Sequence, residues 1–207
     1  MTVKLIALTP EAEKLIGYCA RVSNPANQDN ENIAGLLSYC VRNHHWSIFE
    51  MANMVLEVKT TRAISAQILR HRSFTFQEFS QRYATVTDKP EVPELRLQDT
   101  KNRQNSIVGL DAGKAESYAL RINSLYNEID TLYTDMVDDG IAKECARAIL
   151  PMGSPTTIYM NGTIRSWMHY INLRSANGTQ REHMVIAEAC KEIFKKELPV
   201  IAQALGW

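Results

Sequence analysis

The chain has 207 residues, 45% of them hydrophobic and 22% charged, and its Lys+Arg and Asp+Glu counts are both 23. That length suits one globular domain with a sizeable core. Zero net charge argues against a general nucleic-acid binder, which draws most of its affinity from excess cations, and no stretch approaches the ~20 apolar residues of a membrane span.

In chain order, MTVKLIALTP has too short an apolar run before Pro10 for a secretory signal, and Val3 to Leu8 reads as a strand. Pro10 and the Ala12, Leu15, Ile16, Cys19 spacing predict a first helix, residues 23–32 a polar loop, and 33–42 a second helix. Ala52, Met54, Leu56 and Val58 alternate as in a strand, and 61–69 follows as a helix capped by Thr60 or Thr61. Residues 84–112 are polar, contain Pro90 and Pro93 and lack periodicity. They read as a surface excursion and a candidate lid.

The clearest helix carries Tyr118, Ile122, Leu125, Ile129, Leu132 and Met136, one apolar stripe that closes at Asp138-Asp139-Gly140. Such a stripe suits a core helix or one that also packs on another subunit. A short helix over 142–149 stops at Pro151, 156–160 reads as a strand, and 164–173 and 180–196 read as helices. The last turns Ala187, Cys190 and Phe194 inward. The mixture predicts an α+β, helix-rich single domain over 1–207. Cys19, Cys40, Cys145 and Cys190 form no CxxC pair, the pattern of free buried thiols in a reducing cytosol.

The chemistry concentrates in RHRSFTFQEFSQRY, residues 70–83. Forked cations interleaved with aromatic rings suit a site that grips phosphate and a flat heterocycle. Familiar cofactor devices are absent. There is no GxGxxG, HExxH or GxSxG, the histidines lack metal-ligand spacing, and Gly109 to Ala115 misses the phosphate-loop pattern in spacing and final residue. Arginines recur elsewhere. Gln67 and Arg70 are three apart on one predicted helix, Arg165 and His169 four apart on another, Arg174 ends that helix, and Arg147 precedes Pro151. Ser80 as a nucleophile would need an adjacent base, and His71 is nine residues away, so a hydrogen-bonding role is the better reading.

These residues resemble the signature of the flavin-dependent thymidylate synthases, RHRxxSxNExSxRY. The chain keeps Arg70, His71, Arg72, Glu78, Ser80, Arg82 and Tyr83, with Thr75 and Gln77 where the family usually has Ser and Asn. His45, Ser47, Phe49 and Glu50 are similar to the family's upstream H-x-T/S-x-F-E segment, and Ala146-Arg147 with Leu150-Pro151 to its AR..LP segment. Arg165-Ser166, Asn172-Leu173-Arg174, Gln180 and Glu182 resemble its closing segment. Thr163 and His169 stand where Asn is common, and Gly178 where His is common.

The resemblance implies a homotetramer of a distinctive α+β fold with a small, mostly antiparallel sheet and sites built where subunits meet. It implies conversion of dUMP to dTMP, with 5,10-methylenetetrahydrofolate as carbon donor and NADPH as reductant through FAD. Carried over by position, Gln67, Arg70, Glu78, Ser80, Arg82, Arg147 and Arg174 contact dUMP, with Arg174 as the catalytic cation. Ser47, Arg70, His71, Arg72, Glu78, Thr163, Ile164, Arg165 and His169 lie at FAD, with His45 and Gln77 on the flavin or folate side. No metal, nucleic acid or membrane is implied, and the setting is cytoplasmic, that of the host if the gene is viral. A relative that binds the nucleotide without flavin turnover is the competing expectation, on the grounds of Thr163, His169 and Gly178.

Overall fold

A computed structural model describes residues 1–207. In order it contains β1 (Thr2–Leu8), α1 (Ala12–Ala20), α2 (Ala34–Arg42), β2 (Asn53–Thr61), α3 (Arg62–Ile68), β3 (Phe74–Glu78), β4 (Leu97–Gln98) and β5 (Ser106–Ile107). These are followed by α4 (Ala112–Asp138), α5 (Lys143–Ala146), β6 (Pro155–Thr163), α6 (Ile164–Arg174), α7 (Arg181–Glu197) and α8 (Pro199–Leu205). Short 3₁₀ turns cover Pro25–Asn27, Trp46–Glu50 and Arg147–Ile149. No helix is long and apolar enough to cross a membrane.

The main sheet has the strand order β1-β2-β6-β3. Its bonds run antiparallel. Ile164 N donates to Ala52 O while Arg62 N donates to Ser154 O, so β2 and β6 run in opposite directions, and Thr9 N donates to Asn53 O where β1 ends and β2 begins. Along β2 and β6 side chains alternate between buried and more exposed, placing Met54, Leu56, Val58, Ile158 and Met160 inward. The α+β class and the small antiparallel sheet expected from the sequence are both present.

The chain forms two compact units, Met1–Val58 with His71–Gln77 and Tyr159–Trp207, and Lys59–Arg70 with Glu78–Ile158. In the first, Trp167 is fully buried and donates its indole N–H to Met54 O at 2.9 Å. Phe74 meets Trp167 edge to face at 4.9 Å between ring centroids, a favoured aromatic geometry. Leu37, Phe49, Ile171, Ile186, Cys190 and Phe194 complete this core. Glu13 accepts from Ile201 N at 2.8 Å at the start of α8.

In the second unit, α4 is capped by Asp111, which accepts from Lys114 N at 3.0 Å, and ends before Gly140 at φ 82. Its sequence stripe divides. Ile122, Ile129 and Met136 are half-buried, while Tyr118, Leu125 and Leu132 are 51%, 55% and 51% exposed. The inward row is completed by Tyr126 and Tyr133, which alternate with Ile122, Ile129 and Met136 at spacings of four and three on the neighbouring face. Residues 84–112 are less loose than their composition suggests. Val86 N donates to Tyr133 Oη at 3.1 Å, β4 and β5 pair as a hairpin with Leu97 opposite Ile107, and Asp99 ties the hairpin loop through Lys101 N, Asn102 N and Asn105. Thr61 caps α3, accepting from Ile64 N. β3, lying within the signature run, and α8 were not anticipated. Cys145 is exposed and Cys19 half-buried, which corrects the expectation of uniformly buried thiols.

Candidate active site

The signature run leaves α3, passes through a turn and enters β3. In the first unit its key member is His71. The ring is buried and accepts at Nε2 from Arg174 Nε at 2.9 Å. Arg174 is the last residue of α6, half-buried, and makes no ion pair. His71 also packs edge to face on Tyr170, at 5.0 Å, and on Phe74, at 6.5 Å between centroids. Behind it Tyr170 Oη and His183 Nε2 are 3.1 Å apart, both residues fully buried. Burial, reinforced by the charge of Arg174, lowers both His71 and His183 to about 4. Burial lifts the Tyr170 hydroxyl well above its ordinary value. All three rings are therefore neutral near pH 7.

The other flavin candidates of this unit surround α6. Thr163 caps the helix, its Oγ1 accepting from Ser166 N at 3.2 Å. Ile164 is fully buried and its N–H is bonded to Ala52 O. Arg165 is exposed and ion-paired with Glu50, and His169 lies exposed one turn further along, on the face expected from the four-residue spacing. Ser47 is exposed on the 3₁₀ turn that also carries Glu50, and Arg72 is exposed in the turn before β3. Exposed guanidinium, imidazole and hydroxyl groups of this kind are a donor set that fits the pyrophosphate and ribose of a dinucleotide.

In the second unit, Ser80, Arg82 and Tyr83 sit on one helical turn closed by Tyr83 N and Ala84 N, both bonded to Ser80 O. With Ala142, Lys143 and Glu144 they line an open depression of about 390 Å³, within the ~300–1,000 Å³ of small-molecule sites. Arg82 pairs with Glu144 at 2.9 Å and Lys143 donates to Tyr83 O at 3.1 Å. Tyr83 is 87% exposed, a ring held out to solvent beside two cations. No histidine lines this depression.

Glu78 is clamped rather than open. Its Oε1 accepts from Ser65 Oγ and Thr156 Oγ1, and its Oε2 pairs with Arg62 at 2.9 Å. Arg62 also donates to Phe79 O at 2.8 Å, so one guanidinium holds the end of β3 just before Ser80. Gln67 is half-buried on α3. Arg70 does not share its helix face as expected, because α3 ends at Ile68 and Arg70 lies exposed in the turn beyond. Arg147 is exposed at the start of its 3₁₀ turn, outside the residues that line the depression. Sequence reasoning missed Arg62, Ser65, Thr156, Lys143, Tyr170 and His183. The three-residue spacing of Arg62 and Ser65 was a usable signal for a shared helix face. The pairing of Tyr170 with His183 left none.

Comparison with known proteins bears on what these groups serve. The family model described as "Thymidylate synthase complementing protein" matches residues 4–200. A "Probable flavin-dependent thymidylate synthase" of Paramecium bursaria Chlorella virus 1 is 56% identical over 215 residues, covering 100% of both chains. This chain belongs to the flavin-dependent thymidylate synthase family. The "Flavin-dependent thymidylate synthase" of Synechocystis is 49% identical over 217 residues, again across 100% of each. Among solved structures, a UMP/dUMP methylase from Streptomyces cacaoi bound with 5-Br dUMP superposes with TM-score 0.86 at 26% identity, covering 99% of this chain and 94% of that one. The matches to the family's relatives thus span the residues of both units.

Proposed function

We propose that the chain, acting over 1–207 as one catalytic domain, is a flavin-dependent thymidylate synthase that methylates dUMP to dTMP. The carbon donor is 5,10-methylenetetrahydrofolate and the reductant is NADPH. The observation that carries this reading is Arg174, an unpaired guanidinium held by a neutral histidine. In this family the reaction makes a pyrimidine carbon react as a nucleophile. A fixed cation at the ring's polar edge stabilises the negative charge that develops there, an effect worth a few kcal/mol when preorganised.

Ser80 and Arg82 take the nucleotide's phosphate in the depression of the second unit, assisted by Lys143. The exposed Arg82–Glu144 pair is worth only ~0–1 kcal/mol, so a dianion can displace the carboxylate from the guanidinium. Gln67, Arg70 and Arg147 complete the nucleotide contacts, and Glu78 acts by holding the strand end from which Ser80 follows. FAD is held by Ser47, Arg70, His71, Arg72, Glu78, Thr163, Ile164, Arg165 and His169. When bound it supplies the reducing equivalents for the transferred one-carbon unit. The protein works as a homotetramer in the cytoplasm, and the exposed row of α4 is the face we assign to self-association.

The test is a purified-protein assay with FAD, dUMP, 5,10-methylenetetrahydrofolate and NADPH. Flavin-dependent dTMP formation is expected. A protein that binds FAD and dUMP but forms no dTMP would instead be the non-catalytic relative.

A further inference from the structure

Three arginines placed at the site meet different partners. Arg82 faces Glu144 and Arg165 faces Glu50, both carboxylates, whereas Arg174 is bonded through Nε to an imidazole. A carboxylate orients a guanidinium and also cancels its charge. A neutral imidazole orients it and leaves the full positive charge in place. For a cation whose task is to stabilise negative charge, only the second arrangement is useful.

The surroundings keep the imidazole in the required form. Nε2 must be unprotonated to accept, which puts the remaining proton on Nδ1. Protonating Nε2 would aim an N–H at the N–H of Arg174 and bury a second positive charge. The ring is fixed on one side by the edge of Phe74 and on another by Tyr170, whose hydroxyl meets His183. His183 itself lies 6.3 Å from His71, edge to face at 89°. Tyr170 Oη and His183 Nε2 meet at 3.1 Å, so a buried polar contact backs the His71 ring.

We propose that His71 is a positioning residue for Arg174: its Nε2 fixes the guanidinium by Nε and leaves both terminal nitrogens, with undiminished charge, as the donors to substrate, while the Tyr170–His183 pair fixes the His71 ring. This rests on the reading of Arg174 as the catalytic cation. It gives His71 a task distinct from flavin contact.

Replacing His71 separates the possibilities. His71→Gln keeps an acceptor near the Nε2 position, and His71→Phe keeps the packing without one. With FAD and dUMP binding measured alongside, His71→Phe is expected to lower kcat roughly 10–100-fold, the cost of misplacing a catalytic group by about an ångström. His71→Gln should restore most of that loss, and His71→Phe combined with Arg174→Ala should be no slower than Arg174→Ala alone. The second readout is the ¹⁵N–¹H signal of Arg174 Nε, expected to be slow to exchange in the unmodified protein and in His71→Gln, and fast in His71→Phe.

Equal kcat in the Gln and Phe variants, measured at saturating FAD, would overturn the proposal. So would a fast-exchanging Arg174 Nε–H in the unmodified protein, a result that decides the matter even where His71→Phe does not fold. Should Arg174→Ala retain full kcat, the catalytic reading of Arg174 fails, while the exchange data still report on whether His71 holds it.

Discussion

Gly162 sits on β6 where an added Cβ would lie 2.4 Å from Cδ1 of Phe74, in steric overlap with the ring that the signature run sends into the core. The ring cannot yield, because Trp167 and Tyr170 meet it edge to face. Gly162→Ala should therefore destabilise the protein by ~1–3 kcal/mol, the usual cost of overpacking, read as a lower urea midpoint. An unchanged midpoint would mean that the ring has room to move. Glu144→Gln tests the competing carboxylate. Freed of it, Arg82 should bind the dUMP phosphate more tightly, with KM falling by up to about fivefold, as expected from removing an exposed ion pair. A rise in KM would show that Glu144 orients Arg82 more than it competes. At this scale the sequence was partly legible. Ser80, Arg82, His71 and Arg174 could be singled out because a compact motif and its distant partners have a recognisable pattern, and the structure brings His71 and Arg174 into contact. Tyr170 and His183, thirteen positions apart on two helices, meet only through tertiary packing.

Elements were most legible where local physics governs them. The cap of α3, narrowed to Thr60 or Thr61 and found at Thr61, and the glycine after α4 were legible, since capping depends on a few neighbouring residues. The strand β3 alternates Phe74 and Phe76 with Thr75 and Gln77, but so short a pattern does not stand out inside a run dominated by its charged residues. The α4 stripe showed a real helix, yet a periodicity cannot say which of its residues meet solvent. Tyr118, Leu125 and Leu132, seven apart, form the outward row. If that row packs against a second copy, Leu125→Glu with Leu132→Glu should lower the assembly mass in light scattering while leaving the circular dichroism of the helices intact. An unchanged mass would remove α4 from the interface.

For the whole molecule, the two buried histidines predict how stability follows pH. Unfolded, each titrates near the ordinary 6.5, and folded, at about 4. Between those limits the unfolded chain carries more protons, so stability is lost as pH falls through the window, by up to about 1.4 kcal/mol per pH unit for each histidine. Glu13, whose carboxyl is raised by burial, opposes this trend only near and just above its ordinary value of 4.5. Urea titrations at pH 7, 5.5 and 4.5 should show a falling midpoint, and His183→Phe should flatten it. A flat profile in the unmodified protein would mean that neither ring is held neutral. The chain's path has a different consequence. It passes between the two compact units after Val58, Arg70, Gln77 and Ile158, so the fourteen-residue signature alone crosses twice. No single stretch of gene encodes either unit. Neither can be shuffled, duplicated or lent to another protein by one recombination event, and a lineage must inherit or lose this enzyme as one piece.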